Sequence, residues 1–228
     1  MNKILELKDI NKIYETKAEK LEILKNINME VNRGDFISIQ GKSGSGKTTL
    51  LNILGLLDIP TTGDVLYEGE AVNFKKETLK NKIRNKKIGF VFQFHYLLSE
   101  FTALENVMLP ALTDGKSNKE EVRKRAKQYL EWVELGNRLE HKPMELSGGE
   151  KQRVAIARAM INDPAVILAD EPTGNLDIET SQTIHNLFSR INREKMQAII
   201  IVTHSLELAE ITNKKYELKK GIIYNIGS

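Results

Sequence analysis

The sequence predicts an α/β fold built on a mostly parallel sheet, with a small antiparallel sheet near the N-terminus and an inserted helical region. Three observations carry that expectation. Residues 36–39, 88–92, 165–169 and 198–202 are almost unbroken apolar runs of strand length, the pattern of strands covered on both faces. Helical patterns separate them, the alternation that winds a parallel sheet. Between Thr102 and Met160 strand signals vanish, and Val122, Ala126, Tyr129, Leu130 and Val133 recur at helical spacing behind a capping box read at Ser117-Asn118-Lys119-Glu120.

The remaining elements follow in chain order. Residues 4–10 and 23–31 alternate in shorter patterns, as antiparallel strands with one wet face do, and predict a side sheet. An apolar helix is expected over 49–57. The basic run 75–87 carries Leu79 and Ile83 four residues apart, which suits a helix. Its charges read either as a solvated face or as a contact for anionic headgroups or an acidic partner loop. Residues 216–224 read as a hairpin turning at Gly221. Internal repeats, low-complexity tracts and Pro/Gly-rich linkers are absent, so one domain is expected over 1–228. Its core spans about 1–93 and 164–228, with a helical subdomain at about 94–163.

Composition narrows the function classes. With 228 residues, 40% of them hydrophobic, the chain is long enough to bury a sizeable core. No stretch reaches the roughly 18 to 20 consecutive apolar residues of a membrane span, and the N-terminus starting Met1-Asn2-Lys3 lacks a signal-peptide core, so a cytoplasmic chain is expected. Cysteine is absent, which excludes disulfides, thiolate metal sites and a cysteine nucleophile. Lys+Arg 34 against Asp+Glu 31 is too balanced to predict a nucleic-acid partner.

Three segments carry chemistry. Gly41-Lys42-Ser43-Gly44-Ser45-Gly46-Lys47-Thr48 follows a buried strand and opens a helix at Thr49, the context of a phosphate-binding P-loop. Its glycines let backbone N–H groups close on phosphates, Lys47 reaches the β- and γ-phosphates, and the Thr48 hydroxyl suits Mg²⁺. Second, the apolar strand at 166–169 ends in Asp170 and Glu171, at the edge where ligands bind in open α/β sheets. Asp170 fits the carboxylate on the Mg²⁺ side; Glu171 points elsewhere and suits a general base for the water attacking the γ-phosphate. Third, Leu146-Ser147-Gly148-Gly149-Glu150 precedes a helical run, so Ser147 and the glycines form either a second anion site or an ordinary N-cap. A chain already holding its nucleotide in the P-loop has no evident use for a second cradle, which suggests that this one serves a neighbouring subunit.

These segments, with Gln93 after a strand, Asn175-Leu176-Asp177 and His204, stand in the order and spacing of ABC-transporter ATPase subunits, and the resemblance covers essentially the whole chain. It implies a P-loop NTPase of RecA-like core with an N-terminal antiparallel subdomain and a helical signature subdomain. It further implies a head-to-tail homodimer with two Mg-ATP at the interface, each held by one subunit's P-loop and the other's Ser147–Glu150 segment. By that resemblance Gln93 senses Mg²⁺ and the attacking water, Asp177 couples the two sites, His204 hydrogen-bonds the γ-phosphate, and Tyr14 stacks on adenine. Taken alone, a histidine after an apolar strand is more often structural, and Tyr14 also admits the reading of a side-sheet tyrosine with no ligand role. Glu150 departs from the family's commoner glutamine, which leaves the contacts of Ser147 and the glycine backbones untouched.

Phe94-His95-Tyr96-Leu97-Leu98-Ser99-Glu100-Phe101-Thr102 and the continuation to Pro110 resemble the bacterial lipoprotein-releasing ATPases, the LolD type. Efflux ATPases of the MacB type share much of the pattern. The resemblance implies integral membrane permease partners with extracytoplasmic domains, and work at the cytoplasmic face of the inner membrane. A soluble ABC ATPase acting on DNA or ribosomes would be expected to carry a long coiled-coil insertion or two tandem cassettes, and neither is present.

Overall fold

The computed structural model describes residues 3–15, 19–113, 115 and 117–227, so the start of the N-terminal reading, at Met1 and Asn2, lies outside the described residues. A six-stranded sheet has the order β10-β9-β3-β8-β7-β6, formed by β3 (Phe36–Gln40), β6 (Ile88–Phe92), β7 (Val166–Asp170), β8 (Ala198–Val202), β9 (Lys214–Lys219) and β10 (Ile222–Gly227). All its pairings are parallel except the terminal β9–β10 hairpin, which turns through Lys220 and Gly221, both at positive φ. The four apolar runs are thus three inner strands of the parallel ladder, β3, β8 and β7, and its β6 edge. Their residues divide by parity: Ile167, Ala169, Ile199 and Ile201 enter the core shared with the helical region, while Val166, Leu168, Ala198, Ile200 and Val202 enter the core under the side sheet. A strand whose side chains alternate between two buried faces reads as continuously apolar.

The side sheet is antiparallel, with β1 (Lys3–Glu15), β2 (Lys20–Asn32), β4 (Thr62–Tyr67) and β5 (Glu70–Ala71) in the order β2-β1-β4-β5. The last two strands were not expected from the sequence. Only Val65 and Tyr67 of β4 are buried, and Gly63 and Asp64 are poor strand formers.

Helix α1 (Lys47–Leu54) begins two residues before the predicted start and stops three residues before the predicted end. Gly55 caps it where a Cβ would lie 2.5 Å from the Phe90 ring, and Leu56 turns to φ 55. The basic run forms α2 (Glu77–Lys87), yet its buried residue is Lys80, paired with Glu77 at 2.7 Å, and Leu79 is exposed. The aliphatic stem of a lysine can lie in an interface while its ammonium reaches outward.

The insertion comprises α3 (Ala103–Leu112), α4 (Lys119–Trp132) and α5 (Gly148–Met160). The predicted stripe of α4 is buried, but the cap sits one residue later than the predicted box: Asn118 Oδ1 accepts from Glu120 N at 2.9 Å. Helix α5 packs against β6 at Gly89, where a Cβ would lie 2.4 Å from Ala159 O. Glycine there brings the helix capped by Ser147 onto the strand that ends before Gln93. Helix α6 (Ile178–Lys195) follows β7, and α7 (Leu206–Glu210) follows β8. Among the described residues, no helix is long and apolar enough to cross a membrane.

Candidate functional site

The C-terminal ends of β3, β7 and β8 meet at a cavity of about 370 Å³ lined by Ile23, Ser43, Gly44, Gly46, Lys47, Thr48, Thr49, Gln93, Asp170, Glu171 and His204. Helix α1 points its N-terminus into it. That terminus has no side-chain cap and no acid in its first turn, and Gly46 precedes it at φ 103. Its first N–H groups therefore lack the partners that most helices supply, and an anion would satisfy them. The Lys47 ammonium, on a buried side chain, donates to Gly41 O (2.8 Å) and Lys42 O (3.2 Å), and Ser45 Oγ is buried without a partner among the described residues. Gly41 and Lys42 themselves face a neighbouring depression that His204 also borders.

Asp170 lies across from α1, with Thr48 Oγ1 3.5 Å from its Oδ2. Burial, and then the charge of Glu171 beside it, hold its carboxyl above the usual range against the pull of Thr48 and Lys47. A desolvated carboxylate short of positive charge, next to a hydroxyl, fits a hard cation such as Mg²⁺. Among the described residues, no three acidic or histidine side chains gather as a metal cage, so such a cation would complete its shell with phosphate oxygens and water.

Glu171 sits at φ 44, in the left-handed region that costs a non-glycine residue about 1–3 kcal/mol. Its N–H donates to Val202 O (2.9 Å), and its Oε2 accepts from His204 N (3.1 Å). His204 Nε2 lies 3.2 Å from the other carboxylate oxygen. Gln93 Nε2 donates to Asn175 Oδ1 (3.1 Å), and Gly174 admits it, since a Cβ there would lie 2.8 Å from that nitrogen. The carboxylate, the imidazole and the amide thus converge on the mouth of the phosphate cradle from three separate strand ends.

Six predicted residues, Ser147–Glu150, Asp177 and Tyr14, stand apart from this cavity. Ser147–Glu150 do not line it. There Ser147 Oγ accepts from Glu150 N (3.2 Å), while Glu150 accepts from Ser147 N (2.8 Å) and Arg138 Nε (2.9 Å). Gly148 and Gly149 pack on Leu176 and Thr180, where added Cβ atoms would lie 3.1 and 2.4 Å from those side chains. Asp177 caps α6, accepting from Thr180 N (2.9 Å) and Thr180 Oγ1 (2.7 Å). Tyr14, 41% exposed, is not among the lining residues and gives its hydroxyl proton to Asp58 Oδ2 (2.7 Å). Sequence reasoning missed Asn175 as the partner of Gln93, Arg138 as that of Glu150, and Ile23 in the lining. Gln93 and Asn175 are 82 residues apart, and no local pattern joins them.

The model of the family described as ABC transporter matches residues 24–174. This chain belongs to that family. ABC-transporter relatives match it over nearly their whole length. The lipoprotein-releasing system ATP-binding protein LolD of Aquifex aeolicus is 50% identical, covering 97% of this chain and 96% of its own. The protein of the same name from Bacteroides thetaiotaomicron is 53% identical over 89% and 93%. Among solved structures, the dimeric post-hydrolysis state of the ATP-binding cassette MJ0796, bound to ADP and Pi, superposes with a TM-score of 0.88 at 42% identity, covering 99% of this chain and all of that one. CbiO1 of Clostridium perfringens, part of the ABC transporter complex cbiONQ, gives 0.87 at 29% identity over 98% and 88%. The ABC ATPase fold expected from the P-loop, the strand-end acids and the Ser147 segment is therefore the fold present.

Proposed function

We propose that this chain is the ATP-hydrolysing subunit of an ABC transporter that releases lipoproteins from the inner membrane. It works at the cytoplasmic face as a homodimer beneath integral membrane permease subunits with extracytoplasmic domains. The observation that carries the chemistry is the convergence of Lys47, Asp170, Glu171, Gln93 and His204 on one cavity. The near full-length likeness to LolD proteins carries the cargo.

In this reading the triphosphate lies on the N–H groups of residues 43–48, and Lys47 leaves the carbonyls of Gly41 and Lys42 for the β- and γ-phosphates. Thr48 and Asp170 would hold Mg²⁺, which would supply positive charge against that developing on the phosphate oxygens. Glu171 accepts the proton of the attacking water, and the His204 N–H on its Oε2 keeps the carboxylate aimed at that water. Gln93 orients the water from the other side, and the His204 imidazole turns from Glu171 to the γ-phosphate. Ser147, Gly148 and Gly149 meet the partner subunit's nucleotide, and Asp177, capping the helix on which those glycines pack, links the two sites.

An apolar groove of about 640 Å³ between α2, β6 and α3, bordered by Phe90, Phe92, Tyr96, Leu109 and Pro110, supports seating the permease there. Tyr96 at its border is exposed at 66%, and Phe94, two residues earlier in the chain, at 62%.

Glu171→Gln should keep ATP binding and lower phosphate release by at least about 100-fold. The same variant, isolated from detergent-solubilised membranes with Mg-ATP, should bring down permease subunits and bound lipoprotein. Recovery with only DNA or ribosomes would overturn the transport reading.

A further inference from the structure

We propose that Asp58 and Lys12 are positioning residues for nucleotide-base recognition: they tie the Tyr14 ring to the P-loop helix, so that base platform and phosphate cradle stand at a fixed separation. The proposal rests on the reading of Tyr14 as the adenine-stacking residue.

Tyr14 lies near the end of β1, a strand of the side sheet, whereas the phosphate cradle belongs to α1 and the parallel sheet. Two bodies must cooperate to hold one nucleotide, and Asp58 joins them. It follows α1 in a turn where Leu57 N and Asp58 N both donate to Asn52 O (2.8 and 3.2 Å), so its backbone is fastened to the helix that begins at Lys47. Its carboxylate accepts from the Tyr14 hydroxyl (2.7 Å), from Lys12 Nζ (2.6 Å) and from Ile59 N (2.7 Å).

Lys12 completes the arrangement. Its side chain is mostly buried, its ammonium also donates to Ile59 O (2.7 Å), and it sits 4.7 Å from the Tyr14 ring centroid. One face of the ring is thus covered by a cation, and the exposed surface that remains suits a stacked base. Burial pushes the Asp58 carboxyl up, but Lys12, Tyr14 and the Ile59 N–H outweigh it and hold the group below the usual carboxylate range, so it is an anion at neutral pH.

The strand end is held independently of this carboxylate. Ile13 N donates to Thr61 Oγ1 (2.9 Å) and Thr61 N to Asn11 O (2.8 Å). Removing Asp58 should therefore free the ring without detaching the strand, since among the described residues its hydrogen bonds go to Lys12, Tyr14, Ile59 and Asn52, none of them in the phosphate cradle.

The test compares two probes on the full chain with Mg²⁺: ATP, and inorganic tripolyphosphate, which has no base. Asp58→Ala should weaken ATP about tenfold and leave tripolyphosphate unchanged. Tyr14→Phe, which keeps the ring and removes only the tether, should shift the ATP-to-tripolyphosphate ratio in the same direction, and Asp58→Asn should recover part of the loss. Equal losses for both probes would mean a merely structural role and overturn the proposal. An unchanged ratio in Asp58→Ala and Tyr14→Phe overturns it alone if Tyr14→Ala lowers the ratio. If Tyr14→Ala also leaves the ratio unchanged, the reading of Tyr14 as base platform falls with it.

Discussion

Two helix N-termini in this molecule look alike in sequence and stand in opposite states. One follows a glycine-rich loop and the other opens on two glycines of its own, and both offer backbone N–H groups to an anion. At α1 nothing caps them: no side chain accepts from the first turn, no acid lies within it, and Lys47 rests on two carbonyls of its own loop. At α5 the terminus closes on itself through the reciprocal bonds of Ser147 and Glu150, with Arg138 against the acid. One cradle is prepared to take phosphate from solution. The other is satisfied within its own chain and carries a carboxylate where an anion would arrive, although the Ser147 hydroxyl keeps its proton for donation while it accepts from Glu150 N. The difference teaches that these are not duplicate sites. On the function proposed above, the first would bind nucleotide from solution and the second would answer to nucleotide already held by another subunit.

The largest effect that would sharpen this contrast is at Lys47. Lys47→Ala should weaken Mg-ATP binding to the isolated chain by at least about 30-fold, read by titration, because a buried ammonium with no substitute is lost from the phosphates. Unchanged affinity would break the comparison on its open side. Ser147→Ala should leave ATP affinity of the isolated chain as it is while lowering turnover about tenfold. It should also cost about 1 kcal/mol of stability, seen in denaturant unfolding, through the lost cap. A matching loss of monomer affinity would show that the second cradle serves its own chain's nucleotide. The smallest effect concerns Arg138. Arg138→Ala leaves the Glu150 charge less neutralised beside the cradle and should lower turnover about threefold, with Glu150→Gln restoring it in the double variant.

Much of this was legible in the sequence because it is local. A strand, a glycine loop and a helix start lie within a dozen residues, so the P-loop declares its own context, and Asp170-Glu171 gain theirs from the apolar strand before them. The side-sheet strand β4 escaped notice because its partner is β1, far back in the chain, and its own residues alternate too briefly. Other pairings were hidden by distance along the chain: Tyr14 meets Asp58 across 44 residues and Gln93 meets Asn175 across 82. Arg138 and Glu150 are only 12 apart, but a 3₁₀ turn at Pro143–Glu145 and the loop around it bring them together, and neither has a regular spacing to betray it. The helix ends were shifted for a similar reason. Asn118 outcompeted Ser117 as a cap, and Gly55 ended α1 because Phe90, from a different strand, needed the space.

The backbone of Glu171 has a consequence for how this chain can change. At φ 44 the residue most at ease would be glycine, so on the proposed reading the position opposes folding and chemistry to one another: the mutation that relaxes the loop would remove the proposed proton acceptor. Selection for heat tolerance or yield alone would favour a well-behaved, inert protein. On the proposed reading, the acid would be kept at this position only under selection for turnover.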